Sequence, residues 1–159
     1  MLNSNWEDES MVSLGDLLSI ALKIEASGYE FYSNLSRQHS DSLQKFFSDL
    51  AEQERQHQEI FRKLIEDDKK KNASLSNWIE EETAGYLKSL ADVSIFPNIE
   101  KMKTNMTSQD ALNFAIGVEK DSIIFYSELI PYIEEEKQII KEIIAEEKRH
   151  LMDLLSIKL

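Results

Sequence analysis

Two short segments of the chain, residues 54–57 and 147–150, share the pattern Glu-x-x-His. Residues three apart lie on one face of an α-helix, so a carboxylate and an imidazole on adjacent turns can bind one metal ion. Each segment follows a further glutamate, Glu25 or Glu119, at nearly the same separation along the chain. This arrangement predicts a site for two metal ions. The candidate ligands are Glu25, Glu54, His57, Glu119, Glu147 and His150.

The residues after Glu25 and Glu119 reveal an internal repeat. Residues 31–33 and residues 125–127 both read Phe-Tyr-Ser, and they follow the two glutamates at the same offsets. The repeat predicts two related helical hairpins, each carrying one glutamate and one Glu-x-x-His segment. In both hairpins the glutamates lie on the order of 20 Å from the turn, at 1.5 Å per helical residue. All four should therefore meet near one plane.

Apolar residues recur at intervals of three and four in four parts of the chain, which predicts four amphipathic helices. Each apolar stripe contains a glutamate where an aliphatic residue is expected, and the stripes include Tyr29 and Leu155. The predicted helices run from about residue 14 to 37, from Asp41 to the connection at residue 69, from Thr107 or Ser108 to Pro131, and from there to the C-terminal end.

One long connection, residues 69–107, separates the two hairpins. Residues 77–91 within it are predicted to form a short helix, and Tyr86 and residues 80–82 are candidates to approach the metal site. A long crossover between two hairpins occurs in all-α four-helix bundles. The predicted fold class is therefore an all-α bundle of two hairpins joined by a long crossover.

The composition limits the classes of function. The 159 residues are expected to form one domain, with residues 1–12 as a flexible tail and residues 13–159 as the bundle. The absence of cysteine excludes disulfides, thiolate zinc sites and iron–sulfur centres held by this chain. The net charge of −12 argues against a nucleic-acid partner. No segment approaches the roughly 20 apolar residues that span a bilayer, so we expect no membrane partner and a cytoplasmic protein.

Metal ions explain why four carboxylates would be placed on apolar stripes. Burying an ionised carboxylate without compensation costs several kcal/mol, while a whole domain is stable by only about 5–15 kcal/mol. Divalent cations neutralise these charges. Oxygen and nitrogen donors without sulfur favour iron or manganese, with zinc as a common substitute.

The two Glu-x-x-His segments, their partner glutamates and the repeat resemble the ferritin-like di-iron carboxylate superfamily, and its rubrerythrin-like members in particular. The resemblance covers the chain from Leu14 onward and corresponds to an erythrin domain without a rubredoxin domain. It implies a ferritin-like four-helix bundle with two Fe ions, Mn or Zn being possible, bound by the six candidate ligands. It also implies that Glu54 and Glu147 bridge the ions, and that Tyr32 and Tyr126 hydrogen-bond the carboxylates.

The chain departs from the rubrerythrin pattern at one position. Rubrerythrins usually have an extra glutamate one turn after the third-helix ligand, and this chain has Ser122 there. The six remaining ligands resemble the site of bacterioferritin as much as that of a rubrerythrin. With no cysteine for a rubredoxin centre, electrons are expected from an external donor, possibly of the rubredoxin type.

The resemblance implies a di-iron oxidoreductase that reduces hydrogen peroxide or dioxygen, and it implies a homodimer. An alternative is a ferritin-like protein that binds, oxidises or stores iron. A third possibility is oxidation of an organic substrate, which would require an apolar channel to the metals.

Overall fold

The computed structural model describes residues 12–71, 79, 81–101, 106–133 and 136–158, and these residues are almost entirely helical. The all-α fold predicted from the apolar stripes is confirmed. The α-helices are α1 (Leu14–Gln38), α2 (Asp41–Lys71), α3 (Glu81–Leu90), α4 (Phe96–Lys101), α5 (Ser108–Leu129) and α6 (Lys137–Ser156). A π-helical segment, Ala91–Ile95, joins α3 to α4, and a 3-10 turn, Ile130–Tyr132, follows α5.

Side chains define where two of the long helices begin. Ser13 accepts a hydrogen bond from the backbone N–H of Asp16 at 3.1 Å, and the Asp16 carboxylate accepts one from the N–H of Ser13 at 3.0 Å. Thr107 caps α5 by accepting from the N–H of Asp110 at 3.1 Å. These bonds satisfy N–H groups that have no partner inside the helix. Of the two caps predicted for the third bundle helix, Thr107 and Ser108, the structure has Thr107.

The buried apolar residues form two core clusters, one on each side of the six candidate ligands. On α1, the buried residues of the first cluster lie between Leu14 and Ile24, and those of the second lie between Phe31 and Leu35. Glu25 lies between the two sets. The same change from one cluster to the other occurs across the candidate ligands of α2, α5 and α6. The polar groups therefore form a layer across the middle of the bundle.

The order of the clusters along each helix also gives the topology. α1 and α6 run from the first cluster to the second, whereas α2 and α5 run from the second to the first. The two hairpins therefore have their turns at opposite ends of the bundle, and the connection between α2 and α5 must travel along it. This is the long crossover that the sequence predicts.

The crossover helices pack on the first core cluster, and the residues predicted to approach the site are exposed wherever the structure describes them. Tyr86 is 51% exposed, and Glu81 and Glu82 are exposed. The crossover residues buried in this cluster are Ile79, Ala84, Leu87, Ala91, Ile95 and Ile99.

Parts of two predicted segments lie outside the described residues. These are residues 1–11 of the predicted tail and residues 77, 78 and 80 at the start of the predicted crossover helix. Within the described part, the helix begins at Glu81. No helix of that part is long and apolar enough to cross a membrane.

The assignment of two residues to the buried apolar stripes is wrong. Tyr29 is 41% exposed and Leu155 is 58% exposed. Consecutive helical residues point about 100° apart, so the sequence spacing alone does not show whether an apolar residue beside a stripe is buried with it. Leu154, the neighbour of Leu155, is fully buried.

Leu154 and Leu155 offer a matched test of this packing. Leu154→Ala should lower the free energy of unfolding by about 2–5 kcal/mol because it opens a cavity in the second core cluster. Leu155→Ala should change it by about 0.5 kcal/mol or less because the side chain is largely in water. Urea unfolding of both variants in the same metal state measures the difference. Equal losses would contradict this orientation of α6.

Candidate metal centre

The structure brings all six candidate ligands into the polar layer at the middle of the bundle. Each of the four long helices supplies a glutamate, and α2 and α6 also supply the histidines one turn further on. None of the six residues is more than 4% exposed. Acidic residues are rarely buried to this degree unless they are paired or bind a cation.

The six residues form two groups that share two members. In each group one ligand atom from every residue lies within 4.8 Å of the others. We call the groups position 1 and position 2. Glu54 and Glu147 belong to both, so the arrangement can hold two ions with these carboxylates between them. Position 1 consists of Glu25, Glu54, His57 and Glu147, and position 2 of Glu54, Glu119, Glu147 and His150.

Both imidazole rings point one nitrogen inwards and the other outwards. His57 Nδ1 lies 2.9 Å from Glu147 Oε1, and His150 Nδ1 lies 3.3 Å from Glu54 Oε1. The outer atoms, both Nε2, donate to Oε2 of Glu146 and to Oε1 of Gln53, each at 2.7 Å. An outer N–H bond fixes the tautomer that leaves Nδ1 free for a metal.

Two buried tyrosines connect the hairpins at the site. Tyr126 on α5 donates to Glu25 on α1 at 2.5 Å, and Tyr32 on α1 donates to Glu119 on α5 at 2.6 Å. Burial, followed by the nearby carboxylates, raises the pKa of both phenols well above the usual value. They therefore remain hydrogen-bond donors, and each holds one carboxylate oxygen of a glutamate that belongs to a single position.

The two shared glutamates bind protons more strongly than ordinary glutamates do. Burial, followed by the charge of Glu25, raises the pKa of Glu54 well above its ordinary value. Burial, followed by the charges of Glu119 and Glu54, does the same for the pKa of Glu147. Desolvation and like charges both favour the neutral acid, so a proton and a metal ion can neutralise the same carboxyl group.

The other two glutamates remain ionised. Burial alone would raise the pKa of Glu25 and of Glu119, but hydrogen bonds from Glu54 and Glu147, respectively, help to lower both. Burial alone would lower the pKa of His57, but the contacts with Glu147 and Glu25 outweigh it and raise the value to about 11. Without a cation, the protonated imidazole of His57 therefore lies among two carboxyl groups with a raised pKa and two with a lowered pKa.

The donor atoms of the centre fit two divalent cations. Leaving a buried polar atom unpaired costs about 1–3 kcal/mol. Oxygen and nitrogen donors without sulfur suit iron, manganese or zinc, so bound cations would satisfy donor atoms that the protein leaves unpaired. Among the described residues, four buried atoms lack a well-aligned hydrogen bond: Glu54 Oε1, Glu119 Oε2, Glu147 Oε1, which is nevertheless close to His57 Nδ1, and His150 Nδ1.

A small cavity opens between α1 and α5 beside the shared glutamates. About 20 Å³ is open to the centre of a water molecule, which is enough for one water or a molecule of similar size. Ile99 of α4 lines it, so the crossover reaches the site through an apolar residue and not through Tyr86. The lining residues are Ile24, Ser27, Gly28, Phe31, Tyr32, Glu54, Ile99, Ala115, Val118, Glu119, Ser122 and Glu147.

Sequence reasoning missed Gly28, which lies directly against a shared glutamate. A Cβ atom at this position would be 3.0 Å from Glu54 Oε2 and 3.2 Å from Glu54 Cδ. Gly28 follows Glu25 by three residues, as Ser122 follows Glu119, so the two small residues are equivalent in the internal repeat. Extending the repeat to this offset is the signal that could have found it.

Comparison with known proteins gives two matches. The rubrerythrin family model matches residues 16–158. A crystal structure from Thermotoga maritima, described as a ferritin-like diiron-carboxylate protein, superposes with a TM-score of 0.70 at 32% sequence identity. The match covers 91% of this chain and 93% of that one. No curated protein matches the chain significantly.

Gly28→Ala should weaken metal binding without weakening the fold. The added methyl group must displace the Glu54 carboxylate by a few tenths of an ångström, whereas alanine in a helix is favoured over glycine by about 1 kcal/mol. Calorimetric titration and thermal unfolding of the metal-free protein measure the two effects. The matched control is Gly117→Ala on α5, where a Cβ atom meets nothing within 4 Å. Equal metal affinities in the two variants would contradict the clearance role of Gly28.

Metal binding should release protons, and the affinity should fall as the pH falls. The raised pKa values of Glu54, Glu147 and His57 mean that these groups carry protons that a cation must displace. Lower pH holds those protons more strongly, so the competition favours the metal-free state. Titration calorimetry in buffers with different ionisation enthalpies counts the protons. Heats that do not depend on the buffer would show that the shared glutamates are already ionised.

Proposed function

The chain belongs to the rubrerythrin family, and on this premise we propose that it is a di-iron oxidoreductase that reduces hydrogen peroxide or dioxygen with electrons from an external donor. The observation that carries the proposal is the pair of overlapping ligand groups that share Glu54 and Glu147. Two metal ions held by common carboxylates can act on the same small molecule. The six candidate ligands would bind the ions, with Glu54 and Glu147 as bridges.

The size of the cavity supports a small oxidant as the substrate. Sites for organic ligands usually measure about 300–1,000 Å³. The cavity beside the shared glutamates measures about 20 Å³, which suits peroxide or dioxygen. Oxidation of an organic substrate has no comparable support at this site, because the space beside the shared glutamates holds only a molecule about the size of water.

The protein itself would position the reactants and control water. When bound, two ferrous ions supply the two electrons with which hydrogen peroxide takes up two protons and forms two water molecules. Tyr32 holds one carboxylate oxygen of Glu119 and Tyr126 holds one of Glu25, so the two hydrogen bonds fix the orientation of these carboxylates. The two apolar clusters on either side keep bulk water from the layer. A preorganised, dry site of this kind strengthens electrostatic interactions with the reactants.

Iron is proposed as the metal, with manganese or zinc able to occupy the same donors. The electrons must arrive from outside these 159 residues, which contain no cysteine for an iron–sulfur centre. A rubredoxin-type protein is the expected donor. A homodimer in the cytoplasm remains part of the proposal.

The second candidate is a ferritin-like protein that oxidises and stores iron. It is favoured by Ser122, which leaves six ligands where a rubrerythrin usually has an additional glutamate. The Ser122 hydroxyl donates to the backbone oxygen of Val118 at 2.8 Å, so its proton is directed at its own helix.

Rapid mixing of the ferrous protein with peroxide tests the proposed reaction. We expect oxidation of two irons per chain, with one peroxide consumed per pair, much faster than oxidation of free ferrous iron. A reduced donor protein should then allow repeated turnover. Glu54→Ala and Glu147→Ala should each abolish binding of the second ion because each removes a shared ligand. Rates equal to that of free iron, or unchanged two-ion binding in both variants, would refute the proposal.

The same experiment separates the enzyme from the storage protein. An oxidoreductase should stop at two irons per chain when no donor is present. A storage protein should continue to oxidise and retain iron added beyond that amount, and it should assemble into a large hollow shell in place of a small oligomer. Light scattering measures the assembly size of the same sample.

A further inference from the structure

The internal repeat makes the inner surroundings of the two metal positions nearly identical. Each position contains the shared glutamates, one further glutamate and one histidine that presents Nδ1. The unshared glutamates are alike too, since Glu25 accepts from Tyr126 at 2.5 Å and Glu119 accepts from Tyr32 at 2.6 Å. The two positions therefore have the same types of inner ligand and the same type of tyrosine contact.

The outer contacts of the two histidines differ. His57 Nε2 donates to the Glu146 carboxylate, whereas His150 Nε2 donates to the side-chain amide oxygen of Gln53, and both distances are 2.7 Å. Gln53 and Glu146 each precede a shared glutamate, so they occupy equivalent places in the repeat. The geometry of the outer hydrogen bond is therefore conserved between the halves, but its charge is not.

From this difference we infer that the two positions are unequal, with Glu146 making position 1 the tighter site and the first to fill. This inference rests on the proposal that the six residues bind two metal ions. A carboxylate that accepts the outer N–H polarises the imidazole and increases its donation to a metal. A neutral amide holds the ring in the same orientation but adds no negative charge.

The expected difference in affinity is about tenfold, the lower end of the range of about 10–100-fold for loss of such outer partners. The lower end applies for two reasons. The Glu146 side chain is 34% exposed, and Arg149 lies 3.8 Å from its other oxygen, so water and a nearby cation screen its charge. The hydrogen bond itself is also present at both positions.

Zinc titration followed by NMR of ¹⁵N-labelled histidine rings tests the order of filling. Zinc has no redox chemistry of its own, so the readout is independent of any reaction with peroxide. The chain has three histidines, and His39 in the turn between α1 and α2 serves as an internal control. Below one zinc per chain, the ring signals of His57 should change first. Those of His150 should follow between one and two zinc ions per chain.

A charge-conserving exchange provides the decisive variant. The double variant Gln53→Glu with Glu146→Gln has the same composition and net charge as the parent. It should reverse the order of filling, so that the His150 signals change first. Each single variant gives both histidines the same outer partner, so their signals should change together. The inference is overturned if the parent rings change together, if His150 changes first in the parent, or if the exchange leaves the order unchanged.

These outcomes separate this inference from the proposed function. If the parent fails to bind two zinc ions per chain, the two-metal site itself is refuted, and with it the unequal filling. If the parent binds two ions without order, the site stands and only the role of Glu146 is refuted. Circular dichroism of each variant shows that the helices are intact, and the single variants keep the test valid if the exchanged protein does not fold.

Discussion

Four carboxyl groups in one buried layer are the constraint on which the rest of the structure depends. Each ionised group would cost several kcal/mol in an apolar interior, and their mutual repulsion adds to that cost. The protein limits it by an unequal division of charge: the shared pair, Glu54 and Glu147, has a strongly raised pKa, whereas the pKa of Glu25 and of Glu119 is lowered. Protons and cations therefore compete for the same two carboxyl groups, which couples metal binding to the stability of the fold.

The architecture serves this layer by placing an apolar cluster on each side of it. Either cluster alone joins helices from both hairpins, so the layer is held between two separately packed regions. The hydrogen bonds from Tyr126 to Glu25 and from Tyr32 to Glu119 then cross between hairpins within the layer. Because each tyrosine holds a glutamate of the other half, a shift of one hairpin against the other would disturb both positions. The repeat thus fixes the relative height of the donors as well as their identity.

Much of the fold was predictable because a few residues fix the spacing of the ligands along each helix and their height in the bundle. The Glu-x-x-His segments set the helical face, and the repeat predicted two hairpins whose glutamates meet. The helix ends near Gln38 and Asp41 follow the predicted turn. The repeat could have marked position 28, but contacts that depend on the rotation of one helix against another were not predictable. These are the short distance from Gly28 to Glu54, and the exposure of Leu155 beside buried Leu154. Such contacts change with a rotation that leaves the apolar period unaltered.

Gly28 and Ser122, the small residues beside the polar layer, show the physical effect of a serine at position 122, where rubrerythrins usually have a glutamate. A glutamate there would add a fifth carboxylate to a site that already requires protons or cations, and its longer side chain would enter the cavity. Ser122 instead satisfies its hydroxyl on the oxygen of Val118 and contributes a short wall. Gly28, its equivalent in the other half, leaves Glu54 unobstructed. With both positions small, about 20 Å³ stays open beside the shared glutamates, so the space that a seventh ligand would fill is available to a small exogenous molecule.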